Sequence, residues 1–498
     1  MLMNMRKPLI LLTAVAAACG GGSFTGGNDG GNDTSPDAGP TSTAVIQSFT
    51  ASQPSIALGA TVQLTATFTG GTGVIDHQVG TVQSGVPVTV TPTANATWTL
   101  IVTDPNNVPV TASVTVLVTG AVCIGNSLLT GLGKTHMLAG VSPSVPLKSG
   151  PPDPQSAAEL ASWDANYLYL AGGVASGSGP CAACDSSCTN GGWWGCYNTP
   201  VGQYVKFRVS DSQSLGQIPW FTYYEILQST GGNEFAAEVQ AMNNPSNATR
   251  ILADMKFMFQ MIGTATAFVH VEPDFWGYAQ QVNSDPTKIP VALSSFADCG
   301  TDAPTIAGFV KCIIAMARKY SPNVRIGFHG SAFATGIDVS INNKTTVDVV
   351  AEGTKLAAFL KAAGADQADF VAVDASDRDA GYYASIGNPH AWDATNATLP
   401  NFHQSFAWAQ ALAEGLNLPV IYWQVPVGDS AQNNTTNHWT DNRVDYFYAH
   451  PDELVAAHVA GMMFGAGRGD QTLPEGDGGN LIAKQKAYVT SGGEAVCH

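Results

Sequence analysis

An all-β segment followed by a (β/α)8 barrel is the fold class this sequence predicts, and three observations predict it. Residues 44–120 carry short runs that alternate apolar and polar side chains, separated by Gly- and Pro-containing turns. Residues 121–498 alternate eight short apolar runs with stretches of helical period. The chain has 498 residues, enough for two or three domains with one of barrel size.

The N-terminus reads as an address. Arg6 and Lys7 precede an apolar run, 8–18, broken only by Thr13. The run is too short to span a bilayer, which needs roughly 20 residues. It has the n-region and h-region of a secretory signal. It ends Val15-Ala16-Ala17-Ala18-Cys19, which resembles a bacterial lipobox. The resemblance implies cleavage before Cys19, lipidation of its thiol, and membrane attachment through that lipid only. Gly20 in place of an Asp implies an outer-membrane or surface destination. Residues 20–43 hold almost no large apolar side chain, so they read as a disordered Gly/Asn/Asp-rich tether.

Composition narrows the partners. Lys and Arg number 21 against 38 Asp and Glu, a net charge of −17 with no basic cluster. Nucleic acid is therefore excluded as a partner, because phosphate binding needs grouped cations. Nothing in the pattern demands more than a monomer.

Eight cysteines remain beyond Cys19, an even number in an exported chain, which reads as disulfides. Cys123 and Cys497 bracket the second domain, and Cys299 and Cys312 are near neighbours. Cys181, Cys184, Cys188 and Cys196 read as two further bridges, with a zinc knot as the alternative. Their spacing is irregular and no His lies among them.

Residues 44–120 suggest a β-sandwich of roughly seven short strands. Gly59-x-x-Val62-x-Leu64, Thr97-Trp98-Thr99-Leu100 and Val114-x-Val116 resemble the layout of bacterial immunoglobulin-like domains. Such a module implies a spacer; glycan or protein binding is the other reading.

The barrel strands are expected at 136–141, 167–170, 218–226, 267–273, 324–330, 370–374, 420–425 and 460–466. Helices are expected at 234–262 (broken near Pro245), 305–319, 346–363, 402–416 and 444–458. Strand side chains alternate between the lumen and the surrounding helices. The polar faces should point inward: Tyr223 with Glu225, His270 with Glu272, Arg325 with His329, Ala372 with Asp374, and Tyr422 with Gln424. Ile421 and Trp423 should then face the helices. Carboxylates fall at the C-terminal strand ends, where barrel enzymes place their chemistry.

Two stretches stand out. In Val269-His270-Val271-Glu272-Pro273-Asp274-Phe275-Trp276, Glu272 is expected at a strand tip, desolvated by aromatics, which suits a general acid. Asp374-Ala375-Ser376-Asp377-Arg378-Asp379 supplies further acids, with Asp374 or Asp377 as the partner. Structural ion pairing and a calcium ion are the alternatives for this second stretch; no other metal or cofactor is expected. Tyr223, Glu225, Asp274, Trp276, His329, Tyr383, Trp423, Gln424, His438, Asn442 and Arg443 combine aromatic platforms with hydroxyl-bonding groups, as a sugar site requires.

With those residues the second domain resembles (β/α)8 glycoside hydrolases. The resemblance implies hydrolysis of a polysaccharide between two carboxyl groups about 5–9 Å apart. The chain departs from the large clan with Glu on strands 4 and 7, because strand 7 ends in Gln424. An acid pair on strands 4 and 6 is closer to alpha-galactosidase-like barrels. A non-catalytic glycan-binding or adhesion lipoprotein is the rival reading. No Gly-x-Ser-x-Gly elbow, His-Glu-x-x-His or dinucleotide fingerprint is present.

Overall fold

The computed structural model describes residues 42–498 except 58–59, 78, 93–95, 120–122, 144–155, 175–192, 232, 466, 468 and 497–498. The signal segment, Cys19, most of the tether, Cys181, Cys184, Cys188 and Cys497 lie outside the described residues.

The N-terminal part holds eight strands: β1 (Val45–Ala51), β2 (Ser55–Ala57), β3 (Val62–Thr69), β4 (Thr72–Ile75), β5 (Gly80–Val82), β6 (Val88–Val90), β7 (Ala96–Thr103) and β8 (Pro109–Thr119). They form two sheets, β1-β3-β6 and β2-β8-β7-β4-β5. The alternation seen in the sequence places Val62, Leu64, Ala66 and Phe68 of β3 in a shared core with Trp98, Leu100 and Val102. A side-chain period of two leaves the intervening Thr and Gln residues on the outer face.

The second part is a closed barrel of eight parallel strands: β9 (Leu138–Val141), β10 (Ala165–Leu170), β11 (Ile218–Tyr223), β12 (Ala267–Val271), β13 (Val324–His329), β14 (Phe370–Asp374), β15 (Val420–Val425) and β16 (Val459–Phe464). Pairing of β16 with β9 completes the ring. All eight strands fall where the apolar runs predict them. The long helical segment does break at proline, into Ala236–Ala241 and Pro245–Ile262, with the Asn244 side chain accepting from Ser246 N at 2.9 Å. Pro451 splits the last predicted helix into Arg443–Ala449 and Pro451–Ala456. Proline lacks the donor for a continuing helix, and its ring clashes with the preceding turn.

Rings from non-adjacent strands meet inside the barrel. Trp220 of β11 lies 5.0 Å from Phe268 and 5.1 Å from Phe370, forming an aromatic floor. Gly327 is small because Phe370 occupies its side-chain space: a Cβ there would sit 2.4 Å from the ring. Above this floor, Trp423 of β15 approaches His270 at 4.7 Å and Tyr169 at 5.4 Å.

Two predicted strand faces are therefore corrected. Trp423 points into the lumen, while Tyr422 packs outward on Phe406 and Phe447 and meets Ser405 Oγ at 2.7 Å. Tyr223 also points outward, donating to Asp254 Oδ2 at 2.9 Å from the 245–262 helix, and Thr222 takes the lumen side. Polarity misleads here because this lumen is itself aromatic, and a tyrosine can bury its ring under a helix if its hydroxyl finds a partner.

Residues 42–498 form one unit, so the β-sheets dock on the barrel. His403, on the helix Phe402–Leu416, is the centre of that junction. Its Nδ1 meets Thr99 Oγ1 and lies 3.9 Å from Asp76 Oδ2; its Nε2 lies 3.1 Å from Glu453 Oε2. Thr111 Oγ1 adds a bond to the Thr395 carbonyl at 2.7 Å. Cys299 and Cys312 form the predicted disulfide, and Cys123 and Cys196 are disulfide-bonded as well.

Candidate active site

The C-terminal ends of β10 to β15 converge on one polar mouth. Asp374 closes β14, with its side chain 30% exposed, and accepts from His329 Nε2 at 3.2 Å. His329 Nδ1 lies 3.1 Å from His270 Nε2, and His270 Nδ1 lies 3.4 Å from Thr222 Oγ1. Thr222 Oγ1 in turn accepts from Trp220 Nε1 at 3.1 Å. A single file of hydrogen bonds thus descends from Asp374 to the aromatic floor. Burial holds the His270 pKa well below the ordinary imidazole value, and His329 adds to the effect.

Asp274, in the turn after β12, is electrostatically coupled to His329 and Asp374. Its backbone is left-handed, with φ 72°, and so is that of Glu272, with φ 48°. Such angles are costly for residues with a Cβ and concentrate at functional sites. They interrupt the extended backbone on which strand alternation depends. Burial pushes the Asp274 carboxyl up to about 7, with His329 opposing and Asp374 and Asp377 adding. Asp338, in the loop after β13, is also raised, first by burial and then by Asp374 and Asp377.

Glu272 directly follows β12. It is fully buried, and its Oε1 accepts from the backbone N–H groups of Glu225 and Ile226, each at 3.0 Å. Those donors open the short helix Ile226–Ser229, so the carboxylate acts as its cap. Burial first, then Glu238, raises its pKa well above the ordinary value. Glu225 is likewise buried, with Oε2 accepting from Gly173 N at 2.6 Å.

Trp276 is not a platform. It is buried outside the barrel wall against Phe309 and Phe328, with Nε1 donating to the Val271 carbonyl at 2.8 Å. Arg443 is buried too, bonded to Asp441 Oδ2 at 2.7 Å and to the His390 carbonyl at 2.7 Å, and its guanidinium covers Trp392. Asn442 donates to the Trp392 carbonyl at 2.7 Å. These residues brace a loop. An apolar or charged side chain near a strand end reads the same in sequence whether it faces the mouth or the wall.

Other predicted residues stay at the rim. Asp377 accepts from the Tyr383 hydroxyl, and Tyr383 stacks on His390 with centroids 3.5 Å apart. His438 is exposed, with Nδ1 3.3 Å from Gln432 Oε1. Gln424 accepts from the Tyr169 hydroxyl across the mouth. Its φ of 58° lies in a register irregularity of the β15–β16 pair, which turns its side chain off the strand pattern. Gly467 passes so close over Gln424 that a Cβ would overlap the carboxamide, 1.7 Å from its Cδ. Asp379 is buried, accepting from Gly428 N at 2.9 Å and Thr472 N at 2.8 Å. Among the described residues, no three His, Cys, Asp or Glu side chains are grouped to hold a metal ion.

Tyr169, Tyr224, Asp338 and the lumen role of Thr222 went unmarked in the sequence. Tyr169 and Tyr224 meet edge-on at 6.4 Å. The Tyr167-Leu168-Tyr169-Leu170 alternation was a usable signal for the first of them.

Together, the fold and site define a (β/α)8 barrel whose mouth combines carboxylates, an imidazole file and aromatic walls. No family model and no curated protein matches the chain. Among solved structures it is similar to a modular endo-β-1,4-mannanase of glycoside hydrolase family 26 from Cellulomonas fimi, at 12% identity over 74% of each chain with a TM-score of 0.41. A GH5 xyloglucan-specific β-1,4-glucanase from a ruminal metagenomic library shares 12% identity over 70% of this chain and 90% of that one, with a TM-score of 0.41. A bacterial Ig-like domain-containing GH10 xylanase from termite gut shares 8% identity over 88% and 99%, with a TM-score of 0.38. Likenesses this distant leave the chemistry to rest on the residues themselves.

Proposed function

We propose that the chain is a glycoside hydrolase acting on a neutral or weakly charged polysaccharide. One observation carries the reading: two carboxyl groups in one mouth have unlike surroundings. Asp274 is desolvated and keeps its proton to about pH 7, which suits a general acid. Asp374, half-buried as Asp274 is, differs in having an imidazole partner, with His329 Nε2 at 3.2 Å, which suits the nucleophile or the base that activates water. Asp377, tied to Tyr383, is the alternative partner. Tyr169 and Tyr224, both half-buried, supply the aromatic walls that pack on sugar faces. The acid role is given to Asp274 because Glu272 is fully buried whereas Asp274 is half-buried and meets the mouth.

The proposal extends to the rest of the chain. The two N-terminal sheets around one core support an immunoglobulin-like spacer. The signal-like N-terminus with Cys19 supports export and a lipid anchor at the outer membrane or cell surface. No helix among the described residues is long and apolar enough to cross a membrane.

A panel of neutral polysaccharides assayed for released reducing ends tests the catalytic reading. Wild type should release ends, and Asp274→Asn and Asp374→Asn should each lose nearly all activity. Activity untouched by both substitutions would overturn the site. Binding without any release would favour the adhesion reading.

A further inference from the structure

We propose that Trp220, Thr222 and His270 are positioning residues: they fix the tautomer of His329 so that its Nε2–H is presented to Asp374. The inference rests on the role given to Asp374 above. It begins at the buried end of the hydrogen-bonded file. An indole N–H can donate and never accept. Trp220 Nε1–H therefore uses an acceptor lone pair of Thr222 Oγ1, at 3.1 Å. The hydroxyl could still accept a second bond, but it is buried, and His270 Nδ1, at 3.4 Å, is the acceptor its own proton has among its described contacts. A neutral imidazole that accepts at Nδ1 carries its proton on Nε2. His270 Nε2–H thus donates to His329 Nδ1, at 3.1 Å, and the same logic puts the His329 proton on Nε2, facing Asp374 Oδ1 at 3.2 Å.

The opposite polarity fails at the exposed end. With both protons on Nδ1, His329 Nε2 would turn a lone pair toward a carboxylate oxygen. That arrangement is repulsive unless Asp374 itself carries a proton. Nor can the file reverse by passing protons along it, because the indole at its end neither takes one up nor gives one away at neutral pH. The file is a fixed support and not a proton wire.

Packing holds the rings in place. Trp220, Thr222, His270 and His329 are all buried. The two imidazoles stack with centroids 5.2 Å apart, and Trp423 sets its ring against both, at 4.7 and 5.8 Å. A ring flip would need this aromatic clamp to open. Burial also keeps His270 neutral, as the tautomer logic requires. The charged groups facing the exposed end are Asp374 itself, Asp274, Asp338 and Asp377.

The test reads the protons directly. The full chain, labelled with ¹⁵N at histidine only, is examined by NMR between about pH 5 and 8, where histidines ordinarily titrate. Two buried rings with the proton on Nε2 are expected, with His270 holding that form across the range. Thr222→Val removes the hydroxyl at nearly constant volume, and Trp220→Phe removes the terminal donor while keeping a ring. Each should give a mixture of tautomers and lower kcat about tenfold to a hundredfold, with KM retained. A wild-type spectrum with Nδ1–H on either ring overturns the proposal, as do variant spectra identical to wild type. The wild-type spectrum decides even if a variant fails to fold. It also needs no substrate: the expected tautomers with no glycan hydrolysed would sink the glycosidase reading and leave the positioning role standing.

Discussion

Replacing His403 with Ala removes the cation that sits between two carboxylates at the junction of the sheets and the barrel. Burial lowers the imidazole pKa there, but Asp76 and Glu453 more than offset it, and the group settles at about 9. Burial raises Glu453, yet His403 and His450 bring it down to about 2; Asp76 is lowered in the same way, mainly through His403 and His77. These shifts describe one shared network, so its energy is counted once. From an unperturbed value near 6.5, a rise to about 9 corresponds to roughly 3 kcal/mol at about 1.4 kcal/mol per unit. That matches the lower end of the roughly 3–5 kcal/mol lost when one partner of a buried pair is removed. The sign follows from linkage: a base whose folded pKa is raised contributes fully below about pH 6.5, and its contribution is lost as pH rises through about 9. Urea unfolding of wild type and His403→Ala at about pH 6 and pH 10 measures it. The variant should be about 3 kcal/mol less stable at the lower pH, and much closer to wild type at the higher one. An equal gap at both pH values would refute the ion-pair account and assign the loss to packing alone.

Three further outcomes follow from the site. If Asp274 is the acid, kcat should be highest below about pH 7 and fall as pH rises through it, since the carboxyl must hold its proton; a profile flat to about pH 9 would contradict this. Glu272→Gln should keep activity within about tenfold, because the amide oxygen can still accept from Glu225 and Ile226, whereas Asp274→Asn should lower kcat by about 10²–10⁴. Arg443→Met should destabilise the fold by roughly 3–5 kcal/mol in denaturant unfolding, because it leaves Asp441 buried beside a neutral side chain.

The barrel was legible because its strands are short apolar runs between helices of clear period, and that pattern survives without knowledge of contacts. The break at Pro245 and the Cys299–Cys312 bridge were legible for equally local reasons. The mouth was legible only as a neighbourhood. Period-two alternation assigns faces while the backbone stays extended, and at Glu272, Asp274 and Gln424 it does not. Three positive-φ residues at strand ends therefore moved side chains off the pattern just where the chemistry lies. Trp276 and Trp423 show the same limit. Each is an aromatic beside a strand end; one is driven outward under a helix and the other inward onto two histidines.

Asp379 has a consequence for how the mouth can move. One of its oxygens holds Gly428 after β15, the other holds Thr472 beyond β16, and its own backbone belongs to the loop after β14. Three rim loops far apart in sequence thus share one anchor point. Each oxygen of the one carboxylate ties a different loop to the loop after β14, so removing the Asp379 carboxylate would free both at once. A graft or insertion that lengthens either loop would have to keep Gly428 or Thr472 within reach of that carboxylate, or lose that loop's bond to Asp379.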